Sequence, residues 1–457
     1  MLTAFKHFLR LVLVPTLYIG GLFVMIAAIF KKVEWGLLLM VFLIPQPNIW
    51  YKFHDYPFGK DYMDLLFFSI VLGILFQRKG FARTANSTMI VIFIMISYVA
   101  LWNTSLRFSL PWPITTSNLL LPDWKNYAEM ILLYFLALNA VKDEDHQKMV
   151  VVVMSIVVLL IAVRSYRNFS GGVSFDVDKR DGGPFEAVGL GPNHLGAFIA
   201  YYCVTFLGLF ILDTDRYRKY LFLTTTLFGL HPLFFSYSRG AYVAAFGALA
   251  FFALVKKRSL IILIVVILLT WQTILPASVV DRIMMTETPS GQLEGSAGHR
   301  LDLWEHALTL FEQNPVFGIG FGGFGFTVPQ GELTDTHSFY MRMLSEEGII
   351  GLAFFLLIFI KAFVSGWRLY KTGDAQFHRG LGLGFMGTVI ACMISNLFGD
   401  RWSYFALGGY FWILWGLVDR GIILATETRS TGKVFSERTA LIQESDQVSP
   451  VHAIRQE

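Results

Sequence analysis

The sequence predicts an all-α, polytopic membrane protein: a helical bundle of about 12–13 transmembrane helices with one long structured loop. Three observations predict it. Of 457 residues, 55% are hydrophobic and 15% charged, whereas ordinary soluble domains carry roughly a quarter charged residues. The apolar residues are gathered into blocks of about 16 to 25, the length a helix needs to cross about 30 Å of hydrocarbon. Inside the blocks, period-two alternation is weak and turn residues are few, which favours helices over a β-barrel. The net charge of +4 is dispersed among loops and offers no nucleic-acid surface. Cys203 and Cys392 both fall in apolar blocks, where a thiol behaves as a small hydrophobe.

In chain order the expected spans are Leu11 to Phe30, Trp35 to Ile49, Tyr62 to Phe76, Met89 to Trp102, Trp124 to Val141, Met149 to Val163 and His194 to Leu212. Tyr220 to Ser236, Ala241 to Val255, Leu260 to Leu275, Gly348 to Phe363, Leu381 to Asn396 and Tyr404 to Val418 follow. Leu11 to Phe30 lacks a small-residue cleavage site and reads as a span rather than a removable signal. The 36 residues from Tyr220 to Val255 would make one helix of about 54 Å. That overshoots a bilayer, so a break is expected at Ser236-Tyr237-Ser238-Arg239-Gly240, which puts Arg239 at a surface.

Orientation follows from the excess of Lys and Arg in short cytoplasmic loops. Residues 77–84, 213–219, 256–258 and 367–379 are basic and recur on alternate sides, which places them inside. Residues 164–190, 236–240 and 276–347 are then neighbours on the outer side. The N-terminus, with Lys6 and Arg10, is expected outside against the rule; either an early span is not a full crossing or the rule fails there. Within the long loop, Leu301, Trp304, Leu308 and Phe311 share a helical face, so an interfacial helix is expected over Arg300 to Glu312. Asn314-Pro315 stops it, and the Gly/Phe-rich run Gly318 to Phe326 reads as a close-packed turn, with no βαβ unit to make it a dinucleotide site. Thr334 or Asp335 is expected to cap a helix from Thr336 whose first turn holds His337. Residues 426–457 form a polar, flexible cytoplasmic tail, leaving 1–425 as the membrane domain.

The outer side thus gathers Arg164, Arg167, Arg180, Arg239, Arg300 and His337. Guanidinium groups bind phosphate oxygens in bidentate fashion, and histidine accepts protons near neutrality; a lipid-linked diphosphate suits this chemistry. Plainer readings stand beside it: Arg239 as a headgroup anchor, Arg300 as a partner of Asp302 or Asp281, Arg180 as part of a solvated charge run, Arg164 and Arg167 as a span end, His231 beside Pro232 as structural.

Four motifs in order give the sequence a resemblance to the O-antigen ligase and polysaccharide polymerase superfamily of bacterial membrane glycosyltransferases. They are Arg180 to Gly196 (RDGGPFEAVGLGPNHLG); Ser238-Arg239-Gly240-Ala241; Gly298 to Trp304 (GHRLDLW) with Asn314 to Gly320 (NPVFGIG); and Thr336-His337-Ser338-Phe339-Tyr340 leading to Gly348-Ile349-Ile350-Gly351. The resemblance spans about residues 180–400. The pair His337-Ser338 departs from the His-Asn common in that family. What the resemblance implies is transfer of a glycan from an undecaprenyl diphosphate carrier to an acceptor hydroxyl, on the periplasmic face of the inner membrane, with no metal or other cofactor. The acceptor is lipid A core for a ligase or another carrier-linked glycan for a polymerase; the two are not separable here. By the same resemblance His337 activates the acceptor hydroxyl, Arg239, Arg300 and Arg180 bind the diphosphate, and Asn193 and Ser338 line the site. In the long outer loop, carboxylates such as Asp302 and Glu305 form no Asp-x-Asp pair. The alternative is a transporter or anion permease of the bicarbonate-transporter type, which would need polar or broken spans near the bilayer midplane; the charges here sit at span ends.

Overall fold

A computed structural model describes residues 2–77, 80–169, 175, 180–256, 259–285, 295–329 and 335–447. It is all-helical among these residues. In order the helices are α1 Leu2–Phe30, α2 Val33–Leu43, α3 Pro47–Trp50, α4 Tyr62–Gln77, α5 Ser87–Arg107, α6 Leu121–Ala140, α7 Glu144–Asn168 and α8 Pro192–Leu212. Then come α9 Arg216–Phe235, α10 Arg239–Val255, α11 Ser259–Ile274, α12 Ala277–Met284, α13 Gly295–Gln313, α14 Phe339–Thr372, α15 Gln376–Ser395 and α16 Phe405–Gln447. Each expected span but the second falls, to within a residue at its ends, on one helix, and among the described residues 7 helices are long and apolar enough to cross a bilayer by themselves. This is a polytopic helical membrane protein.

The second expected span, Trp35 to Ile49, is corrected: α2 has 11 residues, about 16 Å, too short to cross alone. Pro45 and Pro47 cause the break, since proline lacks the N–H that would continue the ladder and disfavours helix in the residue before it. α3 continues the path. The tail expected to be flexible from Thr426 is helical as far as Gln447; residues 448–457 lie outside the described residues.

At the centre, α8 lies on α15 with their backbones touching: a Cβ on Gly208 would sit 2.5 Å from the Gly384 Cα. Small residues permit this approach, and van der Waals contact replaces the hydrophobic drive that lipid does not supply. The Thr205 and Thr388 hydroxyls hydrogen-bond across the seam. One end of the bundle carries the basic loops. There Gln77 Nε2 donates to the carbonyls of Ala28 (2.6 Å) and Ile29 (3.0 Å), Arg420 donates to Lys142 O at 2.8 Å, and Arg429 pairs with Asp374 at 2.7 Å. Because Tyr62 OH meets Tyr18 O (3.2 Å) while Gln77 meets Ala28, α1 and α4 run side by side in the same direction. α1 therefore starts at the end opposite the basic loops, so its departure from the charge rule is a property of the fold.

The opposite end is organised by a fracture in α14. Gly348 has φ 66° and ψ −161°, a region essentially closed to residues with a Cβ. The backbone groups released by the break bond to the loop after α13: Ile319 N to Ser345 O (2.9 Å), Gly320 N to Glu346 O (2.7 Å) and Ile349 N to Pro315 O (2.9 Å). Gly318, also left-handed at φ 64°, packs directly on the fracture, and a Cβ there would meet the Glu346 carbonyl at 2.3 Å. Glu346 then accepts from Gly322 N (2.9 Å) and Phe324 N (3.2 Å), so the glycine-rich run is a close-packed turn fastened to a broken helix. Gly348→Ala would push a methyl to 2.4 Å from Val316 O in a strained conformation costing about 1–3 kcal/mol. Lower thermal stability by fluorescence-detected size exclusion is expected, beside an unchanged Gly20→Ala control, whose Cβ meets nothing within 4 Å. Equal stability of the two variants would contradict this account of the fracture.

Candidate active site

α9 ends at Phe235 and α10 begins at Arg239, where the sequence places the break. The carbonyls of Ser236 and Tyr237, in the turn just after α9, have no helical ladder to join, and guanidinium groups satisfy them. Buried Arg180 donates from Nη1 to Ser236 O (2.8 Å) and Tyr237 O (3.3 Å), and Arg282 Nε donates to Tyr237 O at 3.4 Å. The Tyr237 hydroxyl reaches Ser278 Oγ on α12 at 3.1 Å. Arg180 thus braces the turn that presents Arg239, whose own Nη1 donates to Met285 O, just beyond α12, at 2.9 Å. The expected neighbourhood of the three loops exists.

His337 does not sit in the first turn of a helix, as expected; α14 starts two residues later, at Phe339. The reason is local hydrogen bonding. His337 is left-handed at φ 52°, an uncommon state for a residue with a Cβ, and an Asx-type contact from its N–H to Asp335 Oδ1 at 3.2 Å holds it there,. Thr336 Oγ1 donates to Ser338 O at 2.7 Å, Trp304 Nε1 of α13 donates to Thr336 O at 2.9 Å, and Phe339 N donates to Asn396 O at 2.9 Å. Ser338 is buried at the N-cap of α14. α13 itself is rotated from expectation: Leu303, Ala307 and Leu310 are buried with Ile319 and Phe324, whereas Leu301 and Leu308 are exposed. The helix packs on the glycine-rich turn and on Met341, which selects the face.

The imidazole of His337 is partly buried, and burial is the main reason its pKa falls below the usual histidine value. The charges of Arg300 and Arg401, with His299, oppose protonation further, while Asp335 favours it. Asp335 Oδ2 lies 3.6 Å from Nδ1, beyond a direct hydrogen bond but within reach through one water. Arg401 extends the cluster. Its Nη1 donates to His194 Nε2 at 2.7 Å and to Asp400 O at 2.9 Å. Because guanidinium can only donate, Nε2 is the acceptor and His194 is neutral with its proton on Nδ1, an atom with no partner among the described residues. Asn193, half-buried in the same first turn of α8, stands beside it in sequence.

Sequence reasoning missed Arg401 and the network behind it. Arg342 donates from Nε to Glu346 Oε2 (3.1 Å) and from Nη1 to Asp400 Oδ2 (2.7 Å), and Asp400 accepts from Trp402 N (2.9 Å) and Ser403 N (3.0 Å). The available signal was a charged pair, Asp400-Arg401, in the short connection between the last two expected spans, on the same side as His337. Other candidates are placed elsewhere. Arg167 is in the last turn of α7, the span end expected for it and Arg164. His231 packs among Tyr166, Phe169 and Phe235, a structural setting.

Trp304→Phe removes the hydrogen bond from α13 to the His337 turn, worth about 1 kcal/mol. Hydrogen exchange read by mass spectrometry should be several-fold faster for a peptide covering residues 336–340, and unchanged exchange there would show that the turn does not depend on α13.

No curated protein significantly matches the chain. Residues 221–356 match the family model described as O-antigen ligase, a segment containing Arg239, Arg300, the glycine-rich turn, His337 and the fracture at Gly348. Over that segment the chain is similar to the O-antigen ligase family.

Proposed function

We propose that this O-antigen ligase- or polymerase-type enzyme transfers a glycan from undecaprenyl diphosphate to an acceptor hydroxyl on the periplasmic face of the bacterial inner membrane. The observation that carries the reading is that Arg239, Arg300 and His337 all fall within the matched segment, residues 221–356, and at the end of the bundle opposite the basic loops. His337 takes the proton of the acceptor hydroxyl at Nε2, and Asp335 steadies Nδ1. The freed oxygen bonds to the anomeric carbon as that carbon's bond to the diphosphate breaks. Arg239 and Arg300 neutralise the departing diphosphate. Arg180 holds the turn that presents Arg239 and adds its charge to the same region.

A base must be neutral to work, and desolvation together with Arg300 and Arg401 keeps the His337 imidazole so. Arg300 thereby serves two ends: it attracts the diphosphate and opposes protonation of the base beside it. The acceptor is lipid A core or a second carrier-linked glycan.

The test is a purified protein in nanodiscs given undecaprenyl diphosphate glycan and acceptor. His337→Ala should lose about two to four orders of magnitude in turnover while retaining donor binding. Turnover within a few-fold of the unmodified protein would contradict its role as base. Arg239→Lys should be nearly as inactive as Arg239→Ala, because a point ammonium does not reproduce a planar fork at a diphosphate; full activity of the lysine variant would make Arg239 a headgroup anchor.

A further inference from the structure

A cavity of about 330 Å³ opens between α3, the start of α6, residues 188–190 and the turn leading into α16. Its walls combine aromatic and polar groups: Trp50, Tyr127 and Tyr404 with Asp123, Asn126 and Arg342. None of these six residues belongs to the diphosphate and base set described above. This is the chemistry that recognises a sugar ring, whose apolar C–H face packs on aromatic rings while its hydroxyls need hydrogen-bonding groups of both kinds. Asp123 supplies an acceptor with no ion-pair partner among the described residues. Trp50 supplies an aromatic face, and the Asn126 amide and the Arg342 guanidinium are the donor groups in the lining,. The volume lies at the small end of ligand sites, about 300–1,000 Å³, which suits a short stretch of glycan.

The cavity is joined to the candidate base by contacts. Tyr404 stacks edge-on against His194, ring centroids 5.1 Å apart. Arg342 pairs with Asp400 at 2.7 Å, and the adjoining Arg401 donates to His194 Nε2 at 2.7 Å and lowers the proton affinity of His337. Arg239 and Arg180, by contrast, are fastened to Met285 and to the α9–α10 turn. The cavity therefore reaches His337 through Arg401 and His194 rather than through the arginines assigned to the diphosphate. A base takes its proton from the acceptor, so a sugar on this side belongs to the acceptor. We propose that the cavity lined by Trp50, Asp123, Asn126, Tyr127, Arg342 and Tyr404 is a subsite for a sugar ring of the acceptor glycan. The assignment rests on the glycosyl-transfer reading for the word acceptor, and on the cavity alone for the sugar.

Two measurements separate these. Full-length protein in nanodiscs is titrated with delipidated surface oligosaccharide from the host strain, and binding is read as saturation transfer to sugar protons. Initial rates are then measured against acceptor and donor concentrations in turn. Asp123→Asn, which keeps shape and removes charge, and Trp50→Ala should each weaken oligosaccharide binding and raise the acceptor KM by about tenfold or more, with the donor KM within about twofold. Absence of saturation transfer in the unmodified protein, or equal transfer in the variants, would overturn the subsite, as would donor and acceptor KM rising together. Oligosaccharide binding that depends on Asp123 in a protein showing no transfer would uphold the subsite and overturn the proposed reaction instead.

Discussion

A membrane helix cannot be broken without finding new partners for the backbone groups it releases, and the fracture of α14 at Gly348 is the constraint on which the site end depends. The segment from Pro315 to Gly320 supplies those partners, so its path is fixed by the fracture. Its position in turn fixes α13, whose Leu303, Ala307 and Leu310 pack on Ile319 and Phe324. From α13, Trp304 holds the turn that carries His337, while Glu346, one turn of the broken helix below, ties Arg342 and, through it, Asp400. A single backbone irregularity thus positions the histidine and the connection holding Arg401.

Electrostatics at that end follows from geometry of the same kind. Arginines are placed where helix ends leave carbonyls exposed, as Arg180 and Arg282 are on the turn after α9. Around the His337 imidazole, Asp335 favours protonation while Arg300 and Arg401 oppose it. Cations beside a partly desolvated imidazole favour its neutral form, as Arg300 and Arg401 do at His337.

Much of this was legible in the sequence, and the exceptions have physical reasons. Span positions follow from apolar run length, a signal set by bilayer thickness, and the α9–α10 break follows because a continuous helix would overshoot. Prolines at 45 and 47 carried the signal for the short α2, but hydropathy continues through them and hides the break. The face of α13 was misread because Leu301 and Leu308 are as apolar as Leu303 and Leu310; periodicity identifies a helix, while the partner selects its buried side. His337 was found by its motif, yet its left-handed backbone is set by Asp335, Thr336 and Trp304 together, contacts no local propensity encodes. Arg401 lies about a hundred residues from Arg300, and only the packing of α8 on α15 brings His194 to it.

Whether His337 works as a neutral base whose proton affinity is held down by neighbouring cations is tested most directly by the pH dependence of kcat/KM for glycan transfer, since that profile reports groups of the free enzyme. A base is lost as pH falls through its pKa, so a depressed pKa places the acid limb below the ordinary histidine value of about 6.5. Arg300→Gln removes a cation that opposes protonation and should move the limb to higher pH, whereas Asp335→Asn removes an anion that favours it and should move the limb lower. A limb at or above the ordinary histidine value in the unmodified protein, or one that both substitutions leave in place, would contradict the account.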